Sequence, residues 1–373
     1  MKTIELKLDL SRSGATSPKY SLWVGSGLIE NLDKYLKKLP QVHRYVIITD
    51  KTVEKLYGKD LQRKMLKKGF QVDLITFPAG EAFKNEQVKM SLDHALLKKK
   101  CGRDTMILAF GGGVVGDMAG FVAATYMRGI PYVQIPTTFL GMVDSSIGGK
   151  VGIDTPFGKN LIGAFWHPTA VIADSDFLKK LPRVQLVNGL VESLKIFSTY
   201  DLDSFKYFES NLKKLMKGDV KYLQPVVARS IELKIGVVER DEHEANERMV
   251  VNFGHTIGHA LEYLSDYKLL HGFAVGLGIL VEGKISQLLG ILSEVDFNRI
   301  EKLLSDLGIQ KEMFKGYKVA EVLRLITMDK KNRAGKVKFV LLKKIGEVYK
   351  KDGQFGHLVD LKIVKKALEF FIT

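Results

Sequence analysis

Short apolar runs alternate with amphipathic segments along the first half of the chain. Apolar runs bounded by turn residues predict strands, and apolar residues repeating every three to four positions predict helices. The predicted strands are residues 5–10, 19–24, 44–50, 71–77, 105–110 and 132–135, and the predicted helices are residues 28–39, 53–68, 85–100 and 118–126. Strands that alternate with helices in this way predict a parallel α/β sheet.

The pattern changes near Leu181-Pro182. Beyond this point it is mostly helical, with one apolar strand pattern at residues 337–342 and a final helix at residues 361–371. A chain of 373 residues is long enough for two domains. We therefore expect an α/β nucleotide-binding domain with a Rossmann-like parallel sheet over residues 1–180, and a mainly α-helical domain over residues 181–373.

A glycine-rich segment directly follows the predicted strand 105–110. Gly111, Gly113 and Gly116 fit the pattern G-x-G-x-x-G between a buried strand and a helix. In that context glycines permit a tight turn and let the pyrophosphate of a dinucleotide approach a helix N-terminus. The ribose-binding acid expected about 20 residues later is missing, whereas Asp50 ends an earlier strand. We favour a nucleotide-binding sheet of unusual strand order over a simple packing turn.

Glycine stands next to lysine at two further places, Gly149-Lys150 and Gly158-Lys159. Such pairs in loops beside a nucleotide-binding sheet can form cradles for anions. Lysines in solvated loops explain either pair equally well, and the pattern leaves both interpretations open.

Three of the eight histidines, His255, His259 and His271, fall in one apolar, glycine-rich region. His255 and His259 are four residues apart and share one face of a helix. They could form a metal site that a distant residue completes, or a hydrogen-bonded pair in the core. Glu192 and Lys195 are three apart on a predicted helix. They could form a surface ion pair, or a carboxylate metal ligand with a catalytic lysine one turn on.

Composition limits the partners. The net charge of +15 suits an anionic partner, but the lysines are spread along the chain and no basic run is interleaved with aromatic residues. We therefore expect no nucleic-acid partner. The single cysteine, Cys101, cannot form an intrachain disulfide, which favours a reducing compartment. No apolar run approaches the roughly 20 residues that span a bilayer, so we expect a cytoplasmic protein with no membrane partner.

Several motifs together resemble the 3-dehydroquinate synthases of the sugar-phosphate cyclase family. They are GGGVVGDMAGF, ATYMRG, IPTT, VDSSIGGKVG, GKNLIGAF and NFGHTIGHALE, in that order, followed by His271-Gly272. The resemblance extends over about residues 49–345. VDSSIGGK is more similar to the dehydroquinate synthases than to the aminocyclitol-forming or valiolone-forming cyclases. The chain departs from the family at Phe273, where a glutamate is common.

The resemblance implies a reaction and a set of site residues. The family converts 3-deoxy-D-arabino-heptulosonate 7-phosphate, a small acidic sugar phosphate, into 3-dehydroquinate and phosphate in the shikimate pathway. NAD oxidises the substrate transiently, phosphate is eliminated, the hydride returns, and an aldol step closes the carbocycle. The resemblance also implies a homodimer and one divalent metal, zinc or cobalt, held by Glu192, His255 and His271.

The remaining implied residues fall into three groups. The catalytic residues would be Lys150, Lys195, His259, Asp144 and Asn160. The substrate-binding residues would be Arg128, Lys234, Arg248, Asn252 and Lys330. The NAD-binding residues would be Asp50, Glu81, Lys84, Gly113, Asp117, Thr137, Thr138 and Lys159.

Two other enzyme classes are alternatives. A metal- and NAD-dependent polyol dehydrogenase shares this architecture, but it would release NADH and would need no phosphate-binding lysines. Another sugar-phosphate cyclase would use the same chemistry on a different sugar phosphate. Both differ from the favoured activity in the products that they form.

Overall fold

The computed structural model describes residues 3–10, 19–328 and 337–372. They form two compact units, one made of Met1–Leu181 and Leu223–Ile235 and the other of Pro182–Tyr222 and Gly236–Thr373. The change from the strand–helix pattern to the mostly helical pattern near residue 181 coincides with the end of Met1–Leu181, the longer of the two segments in the first unit. The middle of one helix, Leu223–Ile235, also belongs to the first unit, which the sequence pattern did not indicate.

The first unit is built on a seven-stranded sheet. Its strands are β1 Ile4–Asp9, β2 Lys19–Gly25, β3 Arg44–Asp50, β4 Val72–Phe77, β5 Thr105–Gly111, β6 Tyr132–Pro136 and β9 Ala170–Asp174. Between β6 and β9 in the chain, β7 Lys150–Thr155 and β8 Gly158–Phe165 form a separate hairpin. The order across the seven-stranded sheet is β1-β2-β9-β6-β5-β3-β4. Only the pairing of β1 with β2 is antiparallel, and the other pairs in this sheet are parallel.

The strand order creates a crevice at one place in the parallel sheet. From β3 the chain proceeds to β4 on one side, then returns to β5 on the other side of β3 and continues through β6 to β9. This is the doubly wound order 2-1-3-4-5, in which ligands bind at the carboxyl ends of the strands where the direction reverses. The crevice therefore lies between the ends of β3 and β5, at Asp50 and Gly111.

The helices of this unit pack on the sheet. They are α1 Leu32–Leu36, α2 Lys51–Val53, α3 Lys59–Lys67, α4 Glu86–Lys98 and α5 Gly113–Thr125, with a π turn at Glu54–Gly58 joining α2 to α3. The first helix is shorter than predicted. The helix predicted at residues 118–126 begins five residues earlier, because β5 passes into α5 through Gly112 alone. All seven residues of β5 are buried, so the glycine segment starts at the centre of the core.

The second unit is mainly helical, as predicted. Its helices are α6 Arg183–Tyr200, α7 Leu202–Met216, the ends of α8 Val220–Arg240, α9 His255–Leu264, α10 His271–Leu288, α11 Glu294–Asp306, α12 Val319–Met328 and α13 Leu361–Phe371. Short antiparallel pairs join β10 Lys338–Val340 to β13 Gly356–Leu358 and β11 Leu342–Lys344 to β12 Glu347–Val348. None of the described helices combines the length and apolar composition needed to cross a membrane.

The backbones of helices α9 and α10 lie in direct contact. A Cβ atom on Gly278 would lie 1.8 Å from the carbonyl oxygen of Gly254, and a Cβ on Gly258 would lie 3.0 Å from that of Ala274. Only glycine fits at the first of these contacts, and the second leaves little room for a side chain. The glycine-rich composition that marked this region in the sequence therefore brings two histidine-bearing helices together.

Candidate metal centre and nucleotide site

Three potential metal ligands meet inside the second unit. Glu192 lies in α6, and His255 and His271 are the first residues of α9 and α10. One ligand atom from each lies within 4.8 Å of the others. The Nε2 atoms of His255 and His271 are 3.8 and 3.6 Å from Oε1 of Glu192. The two nitrogens and the carboxylate oxygen therefore surround one point.

Hydrogen bonds orient both imidazoles toward that point. Nδ1 of His255 lies 3.3 Å from the carbonyl oxygen of Phe253, and Nδ1 of His271 lies 3.2 Å from Oε2 of Glu262. Because both partners are acceptors, Nδ1 carries the proton and Nε2 presents its lone pair. Burial, followed by the charge of Lys195, lowers the pKa of His255 well below its ordinary value, so this imidazole is neutral. A metal ligand requires that form.

The Glu192 carboxylate provides a test of whether a cation fits. Its side chain is 2% exposed, and Oε2 is 2.5 Å from Nζ of Lys195. No described residue makes a hydrogen bond to Oε1, although that atom is fully buried. An unsatisfied buried carboxylate oxygen is costly. A divalent cation between Oε1 and the two Nε2 atoms would satisfy it, and two imidazoles with one carboxylate form a typical catalytic zinc donor set.

His259 lies beside this trio. It is exposed, and its ring centroid is 5.2 Å from that of His255 and 6.0 Å from that of His271. A second possible ligand group joins His259 to Glu262 and His271. The buried group with the unsatisfied oxygen is the one that contains Glu192, so the helical spacing of His255 and His259 does not by itself define the site.

Gly254 determines where α9 begins. It has φ +82°, and an added Cβ would lie 2.6 Å from Cγ1 of Ile279 and 2.8 Å from the carbonyl oxygen of Val275. A left-handed glycine directly before His255 therefore starts the helix with the imidazole on its first residue.

Sequence reasoning missed three polar residues that contact this region. Glu262 holds His271, Glu282 binds backbone N–H groups at the start of α9, and Asn188 accepts a hydrogen bond from the first turn of α10. Each is at most 6% exposed. Their burial was the missing information: isolated polar residues in apolar helices give a weak sequence signal, and only contacts between helices show what they bind.

The crevice of the first unit carries the predicted nucleotide-binding residues. Asp50 accepts hydrogen bonds from the backbone N–H groups of Thr52 and Val53, both through Oδ1. Gly112 precedes α5 and provides no side-chain cap for its N–H groups. Cβ atoms on Gly112 and Gly113 would lie 3.1 Å from Thr138 and Ser145. The uncapped helix N-terminus and narrow glycine turn fit a pyrophosphate group.

Thr137 and Thr138 support this turn from β6. The backbone N–H of Thr137 donates to the carbonyl oxygen of Gly111 at 2.9 Å, and the Thr138 hydroxyl accepts from the N–H of Gly141 at 3.1 Å. Gly111 and Gly116 have a different role, because a Cβ atom on either would lie 2.5–2.6 Å from Val115 or Gln134. In the glycine motif, Gly111 and Gly116 therefore allow close packing, whereas Gly112 and Gly113 form the open turn.

Lys84 is buried among oxygen atoms of the same unit. Its Nζ lies 2.6 Å from Oδ2 of Asp117 and 4.0 Å from Oδ1 of Asp154, and it donates to Oδ1 of Asn160. Burial opposes its charge, but these carboxylates, together with Glu81, hold the pKa of Lys84 above its ordinary value. Lys84 is therefore a permanent cation. Asp154 was not predicted.

Two further pairs form between predicted site residues of the first unit, although the pairing itself was not predicted. Nζ of Lys234 lies 2.5 Å from Oδ1 and 2.7 Å from the backbone oxygen of Asp144. Nζ of Lys159 lies 3.4 Å from Oε1 of Glu81. Lys234 and Asp144 are far apart in the chain, and only the fold brings them together.

The remaining predicted residues lie in different environments. Arg128 follows α5 with φ +68° and is exposed, as is Lys150 at the start of β7. In the second unit, Arg248 is buried and donates to the backbone oxygen of Glu242, and the amide of Asn252 donates to Oε1 of Glu244. Lys330 lies outside the described residues.

Comparisons with known proteins agree over most of the chain. Residues 74–188 match the family model described as 3-dehydroquinate synthase N-terminal, and residues 189–332 match the model described as 3-dehydroquinate synthase C-terminal. The curated 3-dehydroquinate synthase of Desulforamulus reducens is 39% identical, covering 88% of this chain and 92% of its own length. That of Symbiobacterium thermophilum is 40% identical, covering 88% and 93%.

Solved structures show the same fold. A 2-deoxy-scyllo-inosose synthase complexed with carbaglucose-6-phosphate, NAD+ and Co2+ has a TM-score of 0.89 at 23% identity, covering 99% of this chain and 100% of its own. A 2-epi-5-epi-valiolone synthase from Streptomyces hygroscopicus with NAD+ and Zn2+ bound has a TM-score of 0.87 at 26% identity, covering 96% and 98%. A glycerol dehydrogenase from Schizosaccharomyces pombe is more distant, with a TM-score of 0.67 at 17% identity, covering 93% and 87%.

Proposed function

The chain belongs to the 3-dehydroquinate synthase family, and we propose that it catalyses the reaction of that family. The reaction converts 3-deoxy-D-arabino-heptulosonate 7-phosphate into 3-dehydroquinate and phosphate. The observation that carries the assignment of the site is the unsatisfied Oε1 of buried Glu192, which the Nε2 atoms of His255 and His271 face.

Glu192, His255 and His271 would hold one divalent ion, zinc or cobalt. The ion would supply Lewis acidity toward substrate oxygens. The chain's own contribution is to orient the ligands: Glu262 and the Phe253 carbonyl fix the imidazole tautomers, and Lys195 occupies the second oxygen of Glu192. This arrangement leaves Oε1 of Glu192 to bind the ion.

The crevice of the first unit would hold NAD, and the chemistry that this cofactor would supply is reversible hydride transfer. The N-terminus of α5 at Gly113 would bind the pyrophosphate, because its N–H groups have no side-chain cap. Oδ2 of Asp50 is available for a ribose hydroxyl, since both backbone bonds use Oδ1. The other residues assigned to NAD are Glu81, Lys84, Asp117, Thr137, Thr138 and Lys159.

The substrate carries a phosphate and a carboxylate, and the proposed binding residues include many cations. Lys150, Asn252, Lys330 and Arg128 would bind the phosphate, and Lys234 and Arg248 would bind the carboxylate. Arginine suits bidentate contact with a planar carboxylate, and lysine acts as a compact charge. Asp144 holds Nζ of Lys234, and Asn160 accepts from Lys84, which orients these groups before substrate arrives.

His259 and Lys195 would act beside the ion. His259 is exposed next to the two histidine ligands and is not a member of the Glu192 group, and its exposed imidazole is placed to contact substrate and move a proton. The departing phosphate can itself accept the proton that is lost during elimination. We therefore expect His259→Ala to slow phosphate release without abolishing it.

We further propose that the enzyme is a cytoplasmic homodimer. Its single cysteine is buried and free, which suits a reducing compartment. Arg128 is exposed and held in a left-handed conformation at the end of α5. The exposure of Arg128 supports its assignment to the substrate phosphate of a neighbouring subunit.

The direct test is to incubate the cobalt- or zinc-loaded protein with NAD and the heptulosonate phosphate, following phosphate and dehydroquinate together. Equal amounts of both products, without accumulation of NADH, are expected. Steady accumulation of NADH without phosphate would instead indicate a polyol dehydrogenase. Turnover of sedoheptulose 7-phosphate or glucose 6-phosphate, but not of the heptulosonate, would indicate another cyclase.

A further inference from the structure

The two helices that carry the histidine ligands begin at those ligands. His255 is the first residue of α9 and His271 the first residue of α10, and neither helix has a side-chain cap from the residue before it. The first N–H groups of a helix have no partner within the helix. In both helices, side chains from another helix bind these groups.

Glu282 performs this role for α9. It lies in α10, is 0% exposed, and accepts hydrogen bonds from the N–H of Gly254 at 2.8 Å and of Ile257 at 3.3 Å. These two residues enclose the first turn, which contains His255. The close contact between Gly278 and Gly254 brings the two backbones near enough for the short reach of the carboxyl group.

Asn188 performs the same role for α10. It lies one turn before Glu192 in α6, and its Oδ1 accepts from the N–H of Gly272 at 2.7 Å. Gly272 directly follows His271. The three ligand-bearing helices are thus joined in sequence, α6 to α10 through Asn188 and α10 to α9 through Glu282.

Stability alone is a poor explanation for Glu282. Burial raises the pKa of its carboxyl group to about 8, against the opposing effect of the backbone N–H groups. No basic side chain among the described residues forms an ion pair with it. A buried carboxyl group without a cation generally costs stability compared with an uncharged side chain of similar shape. A role in placing another group explains its presence better.

We propose that Glu282 is a positioning residue of the metal centre: it fixes the first turn of α9 and thereby aims His255 at the point shared with Glu192 and His271. The inference rests on the proposed metal site and names a residue that sets its affinity. Gly254, with φ +82° and no Cβ, is the joint of the backbone directly before His255. Without the carboxyl group, the backbone at this joint gains freedom, and the imidazole loses its fixed direction.

Glu282→Gln is the decisive variant, because glutamine has the same shape but only one acceptor oxygen for the two N–H groups. Outer partners of metal ligands typically contribute about 10–100-fold to metal affinity. We expect the Kd of the full-length, metal-stripped protein for Co2+ to rise by about that factor. We also expect the visible absorption bands of the bound Co2+ to shift, because one ligand changes its angle.

Ser286→Ala is the matched control. Ser286 is buried one turn further along α10, and its hydroxyl accepts from the N–H of Leu342 and donates to the backbone oxygen of Glu282, while the Glu282 carboxyl group and its bonds to the start of α9 stay in place. This variant loses two buried hydrogen bonds of the same helix and should unfold at a lower temperature, while its Co2+ affinity and spectrum stay as in the unaltered protein.

The outcomes distinguish a Glu282 side chain that positions His255 from one that only stabilises the fold. An unchanged Kd and spectrum in a folded Glu282→Gln protein would overturn the inference. If that variant does not fold, Glu282→Asp keeps the acid but shortens its reach, and an unchanged Co2+ affinity there would overturn the inference equally. Failure of the unaltered protein to bind Co2+ through Glu192 would instead refute the proposed metal site itself.

Discussion

Lys195 and Glu192 form an ion pair inside the second unit, with Nζ 2.5 Å from Oε2 and both side chains at most 3% exposed. The pair uses one oxygen of the carboxylate, and the other faces two histidine nitrogens. The carboxylate is thus paired with Lys195 through one oxygen and has a place for a metal cation at the other, so it couples the lysine to the metal centre.

Replacing Lys195 with methionine should make the protein depend more strongly on metal. Removing one partner of a buried ion pair costs about 3–5 kcal/mol, and a divalent ion can supply the missing charge. We expect the metal-stripped variant to melt at a lower temperature and to gain more on adding Zn2+ than the unaltered protein does. Differential scanning calorimetry with and without Zn2+ measures both effects.

Lys206→Met is the control for this prediction. Lys206 and Asp203 have the same three-residue spacing, but their side chains are 56% and 94% exposed. An exposed pair contributes about 0–1 kcal/mol, so little change is expected. An equal response of the two variants to Zn2+ would show that Lys195 is not coupled to the metal.

Substitution of the histidines should distinguish the two possible ligand groups. His271→Ala removes an Nε2 that faces Glu192 and should lower metal affinity by more than the roughly 100-fold upper effect of an outer partner. His259→Ala should leave the bound metal in place. Metal content after equilibrium dialysis checks both, and metal lost from His259→Ala but retained by His271→Ala would favour the local pair of the sequence pattern.

The stability of the protein should fall as pH rises from about 4.5 to about 8, through the titration of Glu282. Its pKa is raised from 4.5 in the unfolded chain to about 8 in the folded protein. The folded state therefore binds the proton more tightly, and this contribution to stability is complete below pH 4.5 and lost above pH 8. Glu282→Gln should remove this part of the slope.

Urea denaturation at several pH values measures that effect. Each pKa unit corresponds to about 1.4 kcal/mol, so the free energy of unfolding should change by a few kcal/mol across the window. Ser286→Ala should retain the slope of the unaltered protein. A Glu282→Gln protein with an unchanged slope would show that other groups cause the pH dependence.

Gly113→Ala should weaken NAD binding with little effect on folding. The new Cβ would lie 3.1 Å from the Ser145 hydroxyl oxygen, a contact that a small shift relieves. It would also project at the helix N-terminus proposed for the pyrophosphate. We expect the Kd for NAD to rise about tenfold, or about 1.4 kcal/mol, in a fluorescence titration. Unchanged Co2+ affinity serves as the internal control, and unchanged NAD affinity would place the pyrophosphate elsewhere.

Local pattern was sufficient to predict strands β1 to β6 of the first unit and the main helices between them, whereas β7, β8 and β9 were not predicted. The apolar runs at β3 and β5 and the glycines after β5 depend on neighbours in the sequence, and the structure has both strands at nearly the predicted bounds. The start of α5 was wrong by five residues, because helix propensity disfavours glycine whereas the observed turn requires it. The order of the strands depends on pairing across the sheet and carries no local signal.

The same distinction holds for the metal centre. Spacing by itself paired His255 with His259, and only the resemblance to a known family pointed to Glu192 and His271. The tertiary structure shows why these residues meet: glycine contacts bring α9 and α10 to backbone distance, and Asn188 and Glu282 join their first turns to neighbouring helices. The sequence by itself determined which helices form and which ligands are available. The direction of each ligand was decided by contacts between helices, because hydrogen bonds and close packing between distant segments leave no periodic pattern in the chain.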